Sequence, residues 1–490
     1  MNPVRAPHLV VRADAVEGFG AGHVARQLAL IEAWTDRGGS TTVASDHLPE
    51  FWRTRFLAEG TAVVSPDAWL RGAPTRVTGS GDWAAVDGYG HGADERSAWR
   101  ARLGRLLVVD DHALSPISPA DVVVDQNLGA SSLDYADTRY GSPTTLLGPR
   151  YALLRREFRS IAATNEGGDP SAAGEVKRVA LGWGGAPTPA VRERFREVGA
   201  ALQADGFEVV ALDGVDVDAV LDTVDLVVSA AGTITWEICA KGLPAVLVPV
   251  ADNQIPVATR MVEAGAAVMV GGAELDPSVD AIVTAVRSLA DPSATAQRRG
   301  LARVARSMVD GLGAVRVVTV MRAVGIELRP VTEQDAHVLW EWANDEDVRR
   351  NAFSTAAIGW DEHVAWLTAR LADDRASLYI ASDDEGPVGH VRFADPPEGD
   401  IGVEVSVALA PARRGEHLGA PLIEAGVRRA FVDPAVTSVL ARVKPENVGS
   451  QRAFIAADFD PDGAGTGDGH EWLRYTRTRH GVASRSPADG

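Results

Sequence analysis

Cysteine and long apolar runs are the two features that this sequence most clearly lacks. Its one cysteine, Cys239, excludes an internal disulfide framework and a cysteine-cluster metal site, and we expect it to be a buried thiol. The first apolar run, at 8–11, is followed by Arg12 and Asp14 and is too short for a signal peptide. No later run is long enough to cross a bilayer, so we expect a cytoplasmic location.

Positive charge is also scarce. Lys and Arg number 48 against 67 Asp and Glu, which gives a net charge of −19. Such a surface repels phosphate backbones and anionic lipids, so neither nucleic acid nor a membrane is an expected partner. Nucleotides remain possible ligands, because backbone N–H groups at helix N-termini bind phosphate without net basic charge. The histidines are scattered and the acidic residues show no ligand spacing, so no metal is expected.

Length and composition indicate a globular chain of about three domains. Apolar residues make up 46% and charged residues 23% of the chain. Alternating strands and helices predict two doubly wound α/β lobes with parallel sheets, followed by an α+β domain. We place the domains at 1–161, 176–324 and 326–483, with a connection at 162–175 and a disordered tail at 484–490. The predicted strands of the two lobes are 8–14, 105–110, 121–125, 178–183, 208–212, 225–230, 244–250 and 266–272.

A glycine-rich segment precedes the first predicted helix. The segment 18–23, GFGAGH, lies between the strand at 8–14 and a helix at 23–36. Flexible glycines before a helix N-terminus favour binding of a phosphate or a sugar oxyanion, although the segment lacks the full dinucleotide fingerprint. His23 would place an imidazole there that can accept a proton from water near neutral pH. The alternative is a histidine that merely caps the helix.

Polar residues and glycines follow several strands of the second lobe. Glycine turns after two strands can present backbone donors to a diphosphate, and Glu237, about one helical turn further on, can accept ribose hydroxyls. The amides after the next strand suit sugar hydroxyls. Taken singly, each residue is equally compatible with ordinary turn and capping chemistry. The candidate binding residues of this lobe are Gly184, Gly185, Gly232, Thr233, Glu237, Asn253 and Gln254.

These segments belong to a longer set that occurs in one order along the chain. The set is Arg12-Ala13-Asp14, Gly22-His23 with Arg26, Asp87-Gly88-Tyr89, Asp125-Gln126-Asn127, Leu147-Gly148-Pro149-Arg150-Tyr151, Gly184-Gly185, and the run from Ala231 to Glu237 through Asn253-Gln254. Over roughly 8–320 it resembles the UDP-2,4-diacetamido-2,4,6-trideoxy-β-L-altropyranose hydrolases of pseudaminic acid synthesis. The resemblance implies two facing Rossmann-like lobes of glycosyltransferase-B type.

The resemblance also implies a mechanism. UDP would bind mainly to the second lobe, and the sugar would face His23, which activates water to displace UDP from the anomeric carbon. The chain departs from the family pattern in the loop at 16–21 and at Gly88, where the family often has histidine. Asp14, Asp87 and Tyr89 match family positions near the sugar, with supporting roles. Gly22 and Arg26, from the same set, are further candidate substrate-binding residues.

The last domain contains an arginine- and glycine-bearing loop between a predicted strand at 402–409 and a helix. Backbone N–H groups of such a loop can wrap a pyrophosphate, aided by the helix N-terminus. A second strand and helix follow, with Asn447 and Ser450 where that helix begins. The loop residues proposed to bind are Arg414, Gly415, His417, Leu418 and Gly419.

The two pieces resemble the acetyl-CoA-binding motifs of GNAT N-acetyltransferases, over about 326–480. The resemblance implies acetyl-CoA as co-substrate, with the loop on its pyrophosphate and Asn447 and Ser450 on its pantetheine arm. Ala412 stands where many members have Gln or Arg. His417 replaces a glycine, and Phe454 replaces the tyrosine that often protonates the departing thiolate.

Glu404, on the strand beside the acetyl site, is the candidate base for the acetyl transfer, directly or through water. The alternative is an exposed strand residue without a catalytic role. Together the two motif sets predict a bifunctional enzyme that acetylates the 4-amino group of a UDP-4-amino-4,6-dideoxy sugar and then hydrolyses the product to UDP and free sugar. Two alternatives remain: a true UDP-sugar glycosyltransferase, and a GNAT domain that only binds CoA or dimerises. Sugar stereochemistry and oligomeric state stay open.

Overall fold

The structure, a computed structural model, describes most of the chain. The described residues are 6–15, 21–72, 81–88, 90–111, 113, 117, 119–130, 135, 143–159, 174–184, 187–212, 216–272, 275, 277–373, 377–396, 400–467 and 469–479. They divide into two compact units, Met1–Val317 and Val318–Gly490. The tail predicted at 484–490, and all but the end of the connection predicted at 162–175, lie outside the described residues.

The first lobe of the N-terminal unit is a parallel sheet with helices. Its strands are β1 (His8–Arg12), β2 (Ser40–Ala44), β3 (Ala62–Val64), β4 (Trp83–Asp87), β5 (Leu106–Val109), β6 (Val122–Asp125) and β7 (Thr144–Leu147), in the order β3-β2-β1-β4-β5-β6-β7. Its helices are α1 (Ala21–Thr35), α2 (Glu50–Ala58), α3 (Pro66–Arg71) and α4 (Ala93–Leu103). The central strands are buried almost throughout, as expected of a parallel sheet covered on both faces. Because β1 and β4 are parallel neighbours, their carboxyl ends lie at the same edge.

The second lobe of this unit is a five-stranded parallel sheet. Its strands are β8 (Arg178–Gly182), β9 (Glu208–Ala211), β10 (Leu226–Ser229), β11 (Ala245–Leu247) and β12 (Val268–Met269), in the order β12-β11-β10-β8-β9. The helices are α5 (Pro189–Ala204), α6 (Val217–Leu221), α7 (Ile234–Lys241), α8 (Ile255–Glu263), α9 (Val279–Ala290) and α10 (Thr295–Met308). A further helix, α11 (Gly313–Ala323), begins in this unit and ends in the C-terminal unit. The first residue of α11, Gly313, packs tightly against the segment that follows the first lobe. A Cβ on Gly313 would lie 2.2 Å from the carbonyl oxygen of Ala152.

The C-terminal unit is built on a mixed seven-stranded sheet. Its strands are β13 (Glu327–Pro330), β14 (Ser377–Asp383), β15 (Gly386–Ala394), β16 (Val403–Leu409), β17 (Ser438–Val443), β18 (Asp460–Gly467) and β19 (His470–Thr478), in the order β13-β14-β15-β16-β17-β19-β18. Its helices are α12 (Ala336–Asn344), α13 (Glu346–Asn351), α14 (Trp360–Leu371), α15 (Gly419–Ala430) and α16 (Val448–Ala456). The strands β16 and β17 are parallel and pair only at Val403↔Val439 and Glu404↔Leu440, so they separate beyond Glu404.

Each face of this mixed sheet carries its own apolar cluster. On one face, α15 packs Leu422 and Val427 against β15, β16 and β17. On the other, α12 and α14 pack Trp342 and Leu367 against β14. On that second face β15 and β16 also present polar side chains, because His390 and Arg392 are the register partners of Ile380 and Leu378, and Ser406 is the partner of Arg392.

The predicted fold class is confirmed, because two parallel α/β sheets precede a mixed α+β sheet. Differences concern the ends and the weaker strands. The first helix begins at Ala21 rather than at 23, and the strand predicted at 105–110 is β5. The strands β2, β3, β4 and β7 are absent from the predicted set, because they are three to five residues long and β2, β4 and β7 are rich in Thr or Ala, which weakens their apolar signal.

Candidate active sites

The imidazole of His23 is paired with the carboxylate of Asp87. His23 lies in the first turn of α1, and Asp87 is the last residue of β4. His23 Nδ1 is 2.7 Å from Asp87 Oδ1, and both side chains are buried. Two residues that the sequence assigned separately to the sugar site are therefore in direct contact.

The charge on Asp87 determines which ring nitrogen of His23 carries the proton. Burial would raise the pKa of Asp87, but Arg26 and His23 outweigh it and hold that pKa below its ordinary value. An ionised carboxylate only accepts hydrogen bonds, so His23 Nδ1 donates to it. In the neutral ring the basic lone pair is then on Nε2, which suits a general base. Arg26 Nη2 also lies 2.7 Å from Nδ1, and we interpret this as two donors that share Asp87 Oδ1.

Arg26 joins Asp87 to a second acidic residue, Asp111. Its Nε and Nη2 donate to Asp87 at 3.1 and 2.6 Å, and its Nη1 donates to Asp111 at 2.7 Å. Burial alone would lower the pKa of Arg26, but these two carboxylates raise it well above its ordinary value. Asn127 Nδ2 donates to Asp111 at 2.8 Å. We call His23, Arg26, Asp87, Asp111 and Asn127 the His23 cluster; its buried charges are paired and hydrogen-bonded, which makes it rigid.

Sequence reasoning missed Asp111 and gave Asn127 no role. The signal was available, because Asp110 and Asp111 directly follow the apolar strand β5, and residues at the carboxyl ends of parallel strands meet at one edge of the sheet. Asp125 supports this edge from β6. It accepts hydrogen bonds from Asn127 Nδ2 at 2.9 Å and from the Tyr135 hydroxyl at 2.8 Å.

Asp14 is engaged by a loop rather than by the His23 cluster. It accepts hydrogen bonds from Ser45 Oγ at 2.8 Å, from the backbone N–H groups of Asp46 and His47, and from Arg12 Nη1 at 2.7 Å. Burial would raise the pKa of Asp14, but these partners lower it. The contacts of Asp14 explain how the segments after β1 and β2 are held together, and its role near a sugar stays a prediction. The predicted site residues Tyr89 and Gly185 and the loop 16–20 lie outside the described residues.

The two lobes approach each other at Gly22 and Thr233. Gly22 lies in the first turn of α1, and Thr233 directly precedes α7. A Cβ on Gly22 would lie 2.6 Å from Thr233 Oγ1, so the two residues touch across the lobes. The first N–H groups of an α-helix have no acceptor in the preceding turn of that helix, and the helix dipole has its positive end there. The junction therefore favours an anion such as a diphosphate.

Glycines and amides gather at the carboxyl ends of three adjacent second-lobe strands. Gly184 follows β8 with φ of +86°, a conformation that favours glycine, and Gly232 follows β10. Asn253 and Gln254 lie in the short 3₁₀ turn between β11 and α8. Gln254 Oε1 accepts from the N–H of Val250 at 3.0 Å, and its Nε2 lies 3.8 Å from a Cβ built on Gly232. The structure thus brings these predicted residues to one edge of the second sheet.

Glu237 is a buried carboxylate anchored by an arginine. Its Oε1 accepts a hydrogen bond from Arg155 Nη2 at 3.0 Å. Burial raises the pKa of Glu237 despite that arginine. The other oxygen of Glu237, Oε2, would accept the predicted hydrogen bonds from ribose hydroxyls. These bonds stay a prediction. Cys239, on the same helix, is buried as expected, and burial raises the pKa of its thiol to about 12.

The loop after β16 has an unusual backbone conformation, and its Arg414 forms ion pairs with two carboxylates. Gly415 and His417 both adopt positive φ, of 82° and 56°. Arg414 donates from Nη2 to Asp345 at 2.6 Å and from Nη1 to Asp347 at 3.0 Å. The predicted phosphate contact of Arg414 would have to compete with these two carboxylates. The backbone donors expected for a pyrophosphate come from the start of α15, where the structure places Leu418 and Gly419.

Asn447 and Ser450 cap a helix. The side-chain oxygen of Asn447 accepts from the Ser450 N–H at 3.1 Å at the start of α16, so their predicted contacts with pantetheine stay predictions. Further along α16, the buried ring of Phe454 stacks on Tyr475 with centroids 6.2 Å apart. Sequence reasoning missed this neighbour: Tyr475 brings a phenol next to the position where Phe454 lacks one.

Glu404 forms a two-point ion pair with Arg442. Arg442 Nε and Nη2 donate to its two oxygens at 2.8 and 2.9 Å across β16 and β17. The pair lies where these strands separate, beside the position expected for the acetyl group. Glu404 is therefore not an exposed strand residue but one held in a fixed orientation. The rings of Phe353 and Trp472 each lie 5.9 Å from the Arg442 guanidinium carbon.

Comparison with known families assigns a domain to each of two segments. Residues 326–460 match the acetyltransferase (GNAT) domain family. The C-terminal unit is a GNAT acetyltransferase domain. Residues 195–311 match the glycosyltransferase family 28 C-terminal domain, so the second lobe is of that type.

The curated relatives are acetyltransferases that match less than a third of this chain. The aminoglycoside N(6′)-acetyltransferase type 1 of Klebsiella pneumoniae is 28% identical over 160 residues, covering 29% of this chain and 77% of the relative. The protein of the same description from Serratia marcescens gives the same values. A solved aminoglycoside acetyltransferase AAC(6′)-Ib, in complex with coenzyme A and kanamycin, is 25% identical, with a TM-score of 0.29 and coverage of 31% of this chain and 95% of that one. Spermidine N-acetyltransferase from Vibrio cholerae is 15% identical, with a TM-score of 0.29, covering 32% and 96%.

The described residues contain neither a candidate membrane span nor a candidate metal site. No helix there combines the length and apolarity needed to cross a membrane. No group of three or more His, Cys, Asp or Glu side chains in that part of the chain is placed to hold a metal ion.

Proposed function

We propose that the chain performs two consecutive reactions on one UDP-sugar. In this proposal the GNAT domain, at 326–483, acetylates the 4-amino group of a UDP-4-amino-4,6-dideoxy sugar. The two lobes, at 1–161 and 176–324, then hydrolyse the diacetamido product to UDP and free sugar. The observation that carries the proposal is the pairing of His23 with Asp87 at the helix end that meets Thr233 of the second lobe.

In the hydrolytic step, His23 Nε2 takes a proton from a water molecule while the water oxygen attacks the anomeric carbon. The bond from that carbon to the β-phosphate oxygen breaks, and UDP departs with the bonding electron pair. Backbone donors around Gly232 and Thr233 and the dipole of α7 stabilise the leaving diphosphate. Asp87 acts as a positioning residue: it keeps the proton on Nδ1 and stabilises the imidazolium that forms.

In the acetyl transfer, the neutral amine attacks the carbonyl carbon of acetyl-CoA, the carbon–sulfur bond breaks, and the thiolate takes up a proton. Glu404 accepts the proton of the amine, directly or through water, from its fixed position beside the strand separation. Binding of acetyl-CoA rests on the match to the GNAT family and on the helix start at Leu418 and Gly419.

One experiment tests both steps. Purified chain is given a small panel of UDP-4-amino sugars with acetyl-CoA, and products are followed by mass spectrometry. The proposal predicts an N-acetylated UDP-sugar and then UDP with free sugar, and UDP appears without any added acceptor. UDP release only when a second sugar or lipid is added would favour a glycosyltransferase instead. Tight acetyl-CoA binding without transfer to any amine would make the GNAT domain a binding module, which the residues Ala412, His417 and Phe454 would then explain.

A second acceptor class is suggested by the relatives, which are named aminoglycoside acetyltransferases. Kanamycin is the matched test, because it is an amino sugar without a phosphate. Acetylation of kanamycin in preference to every UDP-amino sugar would replace the nucleotide-sugar acceptor with an aminoglycoside.

A further inference from the structure

Arg392 of β15 lies on the polar face of the GNAT sheet, and among the described residues its guanidinium has no ionic partner. Within the described part of the chain it makes one hydrogen bond, from Nη2 to the Ser406 hydroxyl at 3.2 Å, and no carboxylate there forms an ion pair with it. Arginine has five N–H donors, and a hydroxyl satisfies only one of them. A partly buried cation that lacks an anion is costly to keep in a fold. A ligand that brings an anion to Arg392 would remove this cost.

The charges around Arg392 strengthen this argument. Burial, and then the nearby Arg370 of α14, lower the pKa of Arg392, and Glu404 raises it. Glu404 accepts two hydrogen bonds from Arg442, so its charge neutralises Arg442 rather than Arg392. His390, on the same strand, adds no negative charge: burial and Arg392 lower its pKa to about 4, which leaves its ring neutral at pH 7.

The position of Arg392 relates it to the acetyl-transfer site. Its register partner on β16 is Ser406, and the partner of Ala394 is Glu404, so Arg392, Ser406 and Glu404 face the same side of the sheet. Glu404 and Ser406 are two residues apart on one strand, a separation of about 7 Å. This is on the scale of one sugar ring. Trp342 of α12 closes one side by stacking on His390, with centroids 6.3 Å apart.

We propose that Arg392 and Ser406 form an anion subsite that holds a phosphoryl or carboxylate group of the acceptor while its amine lies at Glu404. The proposal rests on the acetyl transfer proposed above and narrows its acceptor to an amine that carries an anion. A guanidinium matches two oxygens of such a group with parallel N–H donors, and Ser406 keeps it oriented. A polycationic acceptor would meet repulsion at the same place.

The test measures acetyl-transfer kinetics of the full chain with Arg392→Gln. The acceptors are a UDP-4-amino sugar, an amino-sugar 1-phosphate, an amino-uronic acid, the free 4-amino sugar and kanamycin. We expect KM for the anionic acceptor to rise ~10- to 100-fold with a smaller change in kcat. KM for acetyl-CoA and for the free amino sugar should change less than about twofold, within the noise of a neutral substitution. Arg392→Lys, which keeps the charge but not the paired donors, should lie between wild type and Arg392→Gln.

Matched variants keep the result interpretable. Arg428→Gln removes an exposed arginine on α15 and should behave as wild type. Ser406→Ala keeps Arg392 and should raise the same KM by a smaller factor, which covers the case in which Arg392→Gln does not fold. Sodium pyrophosphate should inhibit transfer to the free amino sugar in the wild type and several-fold less in Arg392→Gln.

Each outcome decides the subsite separately from the proposed function. Acetylation of the UDP-amino sugar with an unchanged KM in Arg392→Gln, or a raised KM for acetyl-CoA instead, overturns the subsite and leaves the proposed function standing. Arg392-dependent use of the sugar phosphate or the uronic acid, with no use of the UDP-sugar, supports the subsite and removes the proposed acceptor. Preference for kanamycin overturns both.

Discussion

A side chain at position 22 would collide with Thr233, because a Cβ on Gly22 would lie 2.6 Å from Thr233 Oγ1. The glycine thus permits the two lobes to bring their helix N-termini together. Its neighbour His23 is placed at that junction by the same turn of α1. The proposed hydrolytic site depends on this approach.

Gly22→Ala should therefore destabilise the chain by about 1–3 kcal/mol, as an overpacked contact does. The measurement is urea unfolding of the full chain, in which the free energy of the first unfolding transition is compared between the variants. Thr233→Ala removes the colliding oxygen, so the double variant should recover most of the loss. Strictly additive effects of the two substitutions would show that the lobes do not touch here.

Asp87→Asn should lower the hydrolytic kcat by ~10²- to 10⁴-fold. The amide cannot stabilise an imidazolium and favours the wrong ring tautomer of His23. The affinity for UDP, measured by calorimetry, should be nearly unchanged, and the acidic limb of the pH–rate profile, along which the general base becomes deprotonated, should shift to lower pH. Asp205→Asn is the control, since that carboxylate pairs with Arg287 on the outside of the second lobe. Equal losses in both variants would point to a general effect on folding.

Glu404→Gln should slow acetyl transfer by ~10²-fold at pH 7. The loss of rate should become smaller as pH rises, because at high pH the acceptor amine is already deprotonated and needs no base. Stopped assays of CoA release between pH 6 and pH 10 measure this. A rate that Glu404→Gln leaves unchanged at every pH would make the pair with Arg442 purely structural.

The acid sensitivity of the first lobe should depend on Glu95. Burial would raise the pKa of Glu95, but hydrogen bonds from His91 at 3.1 Å and Arg12 at 2.9 Å lower it to about 2. A carboxyl whose pKa is depressed on folding stabilises the fold above its unfolded value of 4.5, and this contribution is lost as pH falls toward 2. Glu95→Gln should cost about 1–2 kcal/mol at pH 7.

The difference in thermal midpoint between wild type and Glu95→Gln should be constant from pH 6 to pH 8. It should decrease below about pH 4.5 as the wild-type carboxyl loses its advantage. A difference that grows on acidification would have the wrong sign and would exclude this account of Glu95.

Much of the fold follows from the sequence because apolar strands and glycine turns are local signals. The strands after which Gly184 and Gly232 lie are readable from their valine and leucine runs. The contact of His23 with Asp87 is different: 64 residues separate them, and only the parallel pairing of β1 with β4 joins them. The strand β4, WAAVD, has too weak a pattern to reveal that pairing. The partners of charged residues are equally hidden from the sequence, which does not show that Arg414 pairs with Asp347 or that Asp14 accepts a hydrogen bond from Ser45.

The central claim is that His23 activates water against a UDP-sugar. It is tested most directly by the rate of UDP release from the acetylated UDP-sugar, without acceptor, in wild type and His23→Ala, together with the Kd of each for UDP. We predict a fall in kcat of at least ~10²-fold with nearly unchanged UDP affinity. Release of UDP at the wild-type rate by His23→Ala would contradict the account.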